Sequence, residues 1–387
     1  MMNRLLIQCS RIKLSPPQRS FVEKMLDSEI HWKQVLQRSA KEGITPFLYR
    51  HLKSFQDRIP NSVLEQLKKI YVRNTGRNIF LFKKIAPLLR SFKRENMRVC
   101  LSRGGRLALT LYPEWGLRHF ADIDFMVYPG EALHLVDILD REGYWKGSYA
   151  SSFPTKKKKK LMWMLETGFK NDNLWLDFHF NYPGIEIPLD LDERIWEEVQ
   201  SFSLFDTEVS IFPAEYELCL LCLHAQKHCY GRLMWLTDIA ELSLSPGISW
   251  EKVFDICKRL EISPSVYYGL HLANVLWPET VAMSLLKELE PGKITKGLLA
   301  AIWPEEKVAL RRPNAEVPGR ISSLLLLASW RNILLKLKTL FWITFPPRAY
   351  MAYLHKVPLN SLRIYWLYLG RMFRPAAFFA KLILKKI

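Results

Sequence analysis

Apolar residues between Gln18 and Phe92 recur at helical spacing, through Phe21, Met25, Ile30, Trp32 and Val35 and then Val63, Leu67, Ile70 and Tyr71. That period predicts helices, the second starting where Pro60 is followed by Asn61. The pattern changes at Arg98. Val99-Cys100-Leu101 is a short apolar run ending in Gly104-Gly105, as a strand does on entering a tight turn, and Arg106 to Tyr112 reads as a short helix closed by Pro113. From His119 to Tyr128 the residues alternate, with Phe120, Ile123, Phe125 and Val127 apolar around Asp122 and Asp124. Such alternation predicts a strand. Glu131 to Glu142 is amphipathic at helical period, and Gly143 suits its C-terminal cap. Further strands are expected around Phe169 and from Leu174 to Phe180, with helices from Pro213 onward and Ala214 to Leu242 as one helix. Strands and helices on one sheet predict an α+β fold. Its parts would be an N-terminal helical region (1–95), an α+β core (96–212), a helical domain (213–320) and a C-terminal helical region (321–387).

The alternation carries chemistry. Residues two apart on a strand share a face, so Asp122 and Asp124 project together while Ile123 and Phe125 enter the core. Two adjacent carboxylates repel unless a cation relieves them, and Mg²⁺, with Mn²⁺ as an alternative, is the hard-cation choice. In Leu174 to Phe180 the leucines and phenylalanines share one face, while Asp177 and His179 share the other. If the strands are neighbours, three carboxylates converge. Asp-x-Asp alone recurs by chance on edge strands, and here the Gly104-Gly105 turn and the third Asp give it context. Glycine lets backbone approach a phosphate, and Arg103 and Arg106 flank the turn with guanidinium groups that suit phosphate oxygens. Their plainer reading is solvated surface. His224, Lys227 and His228 lie on one helical face, with Asp238 in nearly the same direction further on. This polar stripe either lines a nucleotide or acceptor site or bonds helix to sheet. Cys219-x-x-Cys222 beside His224 and His228 is a weak zinc signal, because one helix points these residues in different directions.

Composition adds a partner class. Among 387 residues, 56 Lys and Arg oppose 38 Asp and Glu, a formal charge of +18, which favours phosphate-rich ligands, nucleic acid or an anionic membrane. The excess is concentrated at the end: from Ile321 onward there are eleven basic residues, twelve aromatics and no acids. Trp and Tyr beside Lys and Arg is the composition of an interfacial helix, although a packed helical domain or an acidic partner would use it too. The Lys156 to Lys160 run reads as a solvated loop. The six scattered cysteines read as reduced thiols of a cytoplasmic protein, with contact at the inner face of the membrane through 321–387 left open. No RNA-binding motif accompanies the basic residues, so nucleic acid is the weaker partner class.

These motifs together resemble the DNA polymerase β-like nucleotidyltransferase superfamily, and within it a bacterial group of uncharacterised nucleotidyltransferases. The matching stretches are Ile44-Thr45-Pro46-Phe47-Leu48, Ser102 to Ala108, Leu111-Tyr112-Pro113, Arg118, Asp122 to Val127, Leu176-Asp177-Phe178-His179 and His224 to Ala240, within residues 15–245. Arg103 stands where the group's pattern has lysine. The resemblance implies a nucleotidyltransferase-type mixed β-sheet core flanked by N-terminal and C-terminal helical regions. It also implies transfer of a nucleoside monophosphate from an NTP such as ATP to a small-molecule, peptide or protein acceptor. Asp122, Asp124 and Asp177 would be the catalytic metal ligands, and Arg103, Gly104, Gly105, Arg106, Arg118, His224, Lys227 and His228 would bind the nucleotide. A non-catalytic scaffold that keeps this fold and attaches through its basic tail is the alternative.

Overall fold

The computed structural model describes residues 2–146, 167–171, 174–180, 193–278 and 280–302, with scattered residues between 305 and 371. Four helices, α1 (Met2–Cys9), α2 (Pro16–Leu26), α3 (Trp32–Glu42) and α4 (Thr45–Leu52), precede the long α5 (Asn61–Arg94). Ser15 caps α2 in a reciprocal box with Gln18, and Gly43 ends α3 in the left-handed region. The core then runs β1 (Val99–Ser102), α6 (Arg103–Thr110), β2 (Ile123–Val127), α7 (Ala132–Arg141), β3 (Trp145–Lys146), β4 (Thr167–Asn171), β5 (Leu174–His179), α8 (Arg194–Glu197), β6 (Gln200–Leu204) and β7 (Thr207–Ile211). After it come α9 (Ala214–Lys227), α10 (Leu233–Ser243), α11 (Trp250–Arg259), α12 (Ser263–Leu276), α13 (Met283–Leu289) and α14 (Lys293–Ile302). The fold is α+β.

One seven-stranded mixed sheet has the order β3-β4-β5-β2-β1-β7-β6. β2 runs parallel to β5 and β1 parallel to β7, while the remaining neighbours are antiparallel. Ile123, Phe125 and Val127 of β2 and Leu174, Leu176 and Phe178 of β5 pack with Phe82, Ile85 and Leu89 of α5 and Leu135 and Leu139 of α7. Burying each such side chain is worth about 1.5–3 kcal/mol. The opposite face, carrying Cys100 and Met126, joins a second core. That core contains both flanking helical regions: Leu5, Val22 and Phe47 lie in one cluster with Leu221, Leu236 and Val266. Polar links tie them as well, Arg11 to Glu241 at 2.6 Å and the Trp277 indole N–H to the Ile7 carbonyl at 3.0 Å. Helices α1 to α4 and those after the sheet therefore make one layer over one face, and the C-terminal half of α5 covers the other with α7.

Several sequence expectations change in detail. The strand expected from His119 begins only at Ile123, so Asp122 sits on the bend before it. The β6–β7 hairpin was not foreseen. Its turn at Phe205-Asp206 places Phe205 at φ +54°, without the Asn-Gly or Asp-Gly that marks such turns. The single helix expected from Ala214 to Leu242 is two. Cys229 (φ +55°) and Tyr230 (φ +52°) are both left-handed and stop α9, and the Tyr230 N–H closes the end on the Ala225 carbonyl at 2.7 Å. Lys156 to Lys160 lies outside the described residues, as do Trp330 and Trp342 of the C-terminal region.

Candidate active site

Pairing fixes the carboxylates. Asp124 on β2 is in register with Asp177 on the parallel β5, and with Ser102 on β1. Alternation turns Asp124, Asp177 and His179 away from the α5–α7 core and onto the face shared with α9. Ligand atoms of these three residues all lie within 4.8 Å of one another. His179 Nε2 is 2.9 Å from Asp124 Oδ1, and Asp122 shares a hydrogen bond with Asp177. Burial, and then the charge of Asp124, raise the Asp122 pKa, which suits a proton held between carboxylates until a cation replaces it. Two carboxylates and an imidazole at this spacing are a donor set for a divalent ion. His179 belongs to this set although the sequence reading placed it only on the same face.

Arg103 faces the set. Its Nη1 is 3.0 Å from Asp124 Oδ1 and 3.1 Å from His224 Nδ1. Burial, and then the Arg103 charge, hold the His224 pKa well below its usual value, so the neutral ring accepts from Arg103. The Nε and Nη2 of Arg103 are buried and have no hydrogen-bond partner. The residue is 6% exposed, and an unsatisfied donor at such depth is costly. Its backbone is left-handed, φ +51°, a conformation non-glycine residues avoid. Glu217 of α9 holds it there, accepting the Arg103 N–H at 2.6 Å and the Ser102 hydroxyl at 3.1 Å. This glutamate is fully buried. Burial raises its pKa against the opposing charge of Arg106. Its one trace in the sequence is an acid within a run of apolar residues at helical spacing.

The remaining expected residues divide. Gly104 and Gly105 fall in the first turn of α6 rather than in a loop before it. A Cβ on Gly104 would meet Phe120 Cβ at 2.7 Å, so packing already demands glycine there. Arg106 is buried, with Nη2 donating to the Phe212 carbonyl at 3.0 Å and Nη1 3.6 Å from Glu217. Arg118 directs Nε and Nη2 to the Asp238 carboxylate, at 2.9 and 2.7 Å, and Nη1 to its neighbour's carbonyl. Tyr112 donates to the same carboxylate at 2.6 Å. Arg118 is thus occupied within the fold, whereas Arg106 Nε and Nη1 are buried without a hydrogen-bond partner, and Asp238, on α10, braces Arg118 and Tyr112 instead of extending the His224 stripe. His224 and His228 lie 4.6 Å apart and both contact Trp235, while Lys227 ends α9 half-buried. Cys219 and Cys222 are buried in the helical core, and all six cysteines are free thiols.

Residues 28–278 match the family described as uncharacterised nucleotidyltransferase. The chain belongs to this family. Nucleotidyl transfer is accordingly its class of reaction, and a nucleotide is one of its substrates. The matched span takes in α3 to α12 and thereby every carboxylate of the cluster. No curated protein matches the chain.

Proposed function

We propose that the chain moves a nucleoside monophosphate from an NTP to an acceptor hydroxyl or phosphate and releases pyrophosphate, using a divalent ion held by Asp124, Asp177 and His179 with Asp122 beside them. The observation that carries this is Arg103, whose two unpartnered buried nitrogens, Nε and Nη2, belong to a guanidinium paired with Asp124 of the carboxylate cluster. Guanidinium donors without acceptors suit the oxygens of a triphosphate. The donor set fits Mg²⁺ through its carboxylates, and Mn²⁺ also tolerates the imidazole. When bound, such an ion would offset charge on the reacting phosphate and lower the pKa of the acceptor oxygen. Arg103 orients the phosphate chain, and His224, by accepting from Arg103, keeps the guanidinium aimed. Asp177 takes the proton of the acceptor. Arg118, matched by Asp238, supports the wall instead of the nucleotide, and Arg106 is held against Glu217 and the Phe212 carbonyl.

Magnesium with an NTP is expected to stabilise the folded chain, since a ligand that binds only the native state adds about 2.7 kcal/mol at a hundred times its Kd. Thermal denaturation with each of four NTPs at millimolar concentration, ATP first, with and without Mg²⁺, reads this directly. No rise with any of them would end the catalytic reading.

For the C-terminal region we propose reversible attachment to an anionic membrane surface. No described helix is long and apolar enough to cross a membrane. Residues 363–371 are helical, and Leu362, Tyr365, Trp366 and Leu369 form an exposed stripe, Trp366 being 75% exposed. With no acid after Arg320, each basic residue near an anionic leaflet adds roughly 1 kcal/mol, screened by salt. Full-length protein should sediment with anionic liposomes at low salt, come off at high salt, and bind more weakly as Trp366→Ala. Failure of anionic liposomes to retain it at low salt would remove the idea.

A further inference from the structure

A cavity of about 280 Å³ opens between the α3–α4 turn, α5 and the segment leading to Asp122. Ala40, Gly43, Pro46 and Ile70 make its apolar side, and Thr45, Arg73, Asn74, Arg77 and His119 its polar side, with no acid among them. We propose that this cavity receives the acceptor, as a small organic anion with a short apolar body and a carboxylate or phosphate at its charged end. The inference rests on the nucleotidyl-transfer reading and names the second substrate of the same site.

Position argues for it. Arg77 donates to the carbonyls of Phe120 and Ala121 at 2.5 and 2.9 Å, and while burial lowers its pKa the Asp122 carboxylate opposes that shift. The cavity wall therefore holds the segment that leads into Asp122. Chemistry argues for it as well. Arg73 is exposed and makes no hydrogen bond or ion pair among the described residues, leaving its fork for an anion. Asn74 is buried, and its amide is oriented by donation to the Gly116 carbonyl at 2.7 Å, so its oxygen accepts from His119 Nδ1 at 2.9 Å. His119 Nε2 is left as an acceptor for a hydroxyl. Desolvation, then Arg77, Arg118, Arg232 and Arg73, bring the His119 pKa to about 4, so the ring is neutral and the field around it positive. The volume lies just under the range of drug-sized pockets, which fits a small acceptor better than a whole nucleotide.

Thermal denaturation of the full-length chain tests this with three probes: glycerol 3-phosphate, 3-hydroxybutyrate and uncharged glycerol. At least one of the two anions should raise the melting temperature by roughly 3 °C near saturation, and glycerol should not. Which anion does so distinguishes a phosphorylated from a carboxylated acceptor. Arg73→Gln and Ala40→Trp, the first removing the cation and the second filling the cavity, should each abolish the rise. Both positions are exposed, so both variants fold. Lys69→Gln, one turn from Arg73 and outside the cavity, should keep it. A wild-type chain indifferent to both anions, or a rise that survives both Arg73→Gln and Ala40→Trp, overturns the assignment. Magnesium ATP is run alongside. Its failure to stabilise the wild type counts against nucleotidyl transfer, whereas loss of the anion response alone leaves that reading standing and removes the cavity from it.

Discussion

Asp177→Asn is expected to lower nucleotidyl transfer by on the order of 1,000-fold while the chain melts within about 2 °C of the parent. The rate effect follows from losing a carboxylate that both neutralises charge and accepts the proton, worth several kcal/mol at 1.36 kcal/mol per tenfold. The stability effect is small because Asp177 is only half-buried and asparagine keeps its shape. Asp124→Asn should be equally inactive but also less stable. Asp124 is 7% exposed and pairs with Arg103 at 3.0 Å, so its removal leaves a buried guanidinium short of its counter-charge. Asp122→Asn should follow Asp177. Pyrophosphate release with the acceptor present, beside melting curves, separates the three variants. Asp177→Asn turning over within tenfold of the parent would remove Asp177 from the chemistry.

Asp238→Ala should cost about 3–5 kcal/mol, the penalty for removing one partner of a buried ion pair, and lower the melting temperature by roughly 5 °C. Asp238 is fully buried, and burial raises its pKa against the stabilising charge of Arg118. It receives two nitrogens of Arg118 and the Tyr112 hydroxyl. Without it the buried guanidinium has no counter-charge. Replacing both partners, as Arg118→Met with Asp238→Leu, should recover much of the loss. A single Asp238→Ala variant that melts like the parent would free Arg118 from its structural task and return it to the list of nucleotide ligands.

Much of the architecture was legible because it is periodic. The alternation of Ile123, Phe125 and Val127 around Asp124, and of Leu174, Leu176 and Phe178 around Asp177, assigns each strand an apolar and a polar face without any partner being known. Helix limits set by local chemistry were equally readable. α5 begins at Asn61 after Pro60, and Gly143 closes the end of α7 at φ +75°. Where local signals were absent the reading missed: Phe205 makes the β6–β7 turn without glycine or asparagine, and Cys229 and Tyr230 break the expected long helix although neither favours a left-handed backbone.

By itself, then, the amino-acid order determined most of the element types, the two strand faces, and the presence of Asp124 and Asp177 on polar strand positions with Asp122 beside them, because each depends on residues within a few places of one another. Only the tertiary structure decided what the remaining polar residues do. Arg118 meets Asp238 across 120 positions, Arg103 meets His224 across 121, and Glu217 reaches the Arg103 N–H across 114. A guanidinium reads the same in sequence whether it waits for a phosphate or is already matched by a buried carboxylate. What separates Arg103 from Arg118 is how far distant strands and helices satisfy its hydrogen bonds, and that is set by packing, not by spacing along the chain.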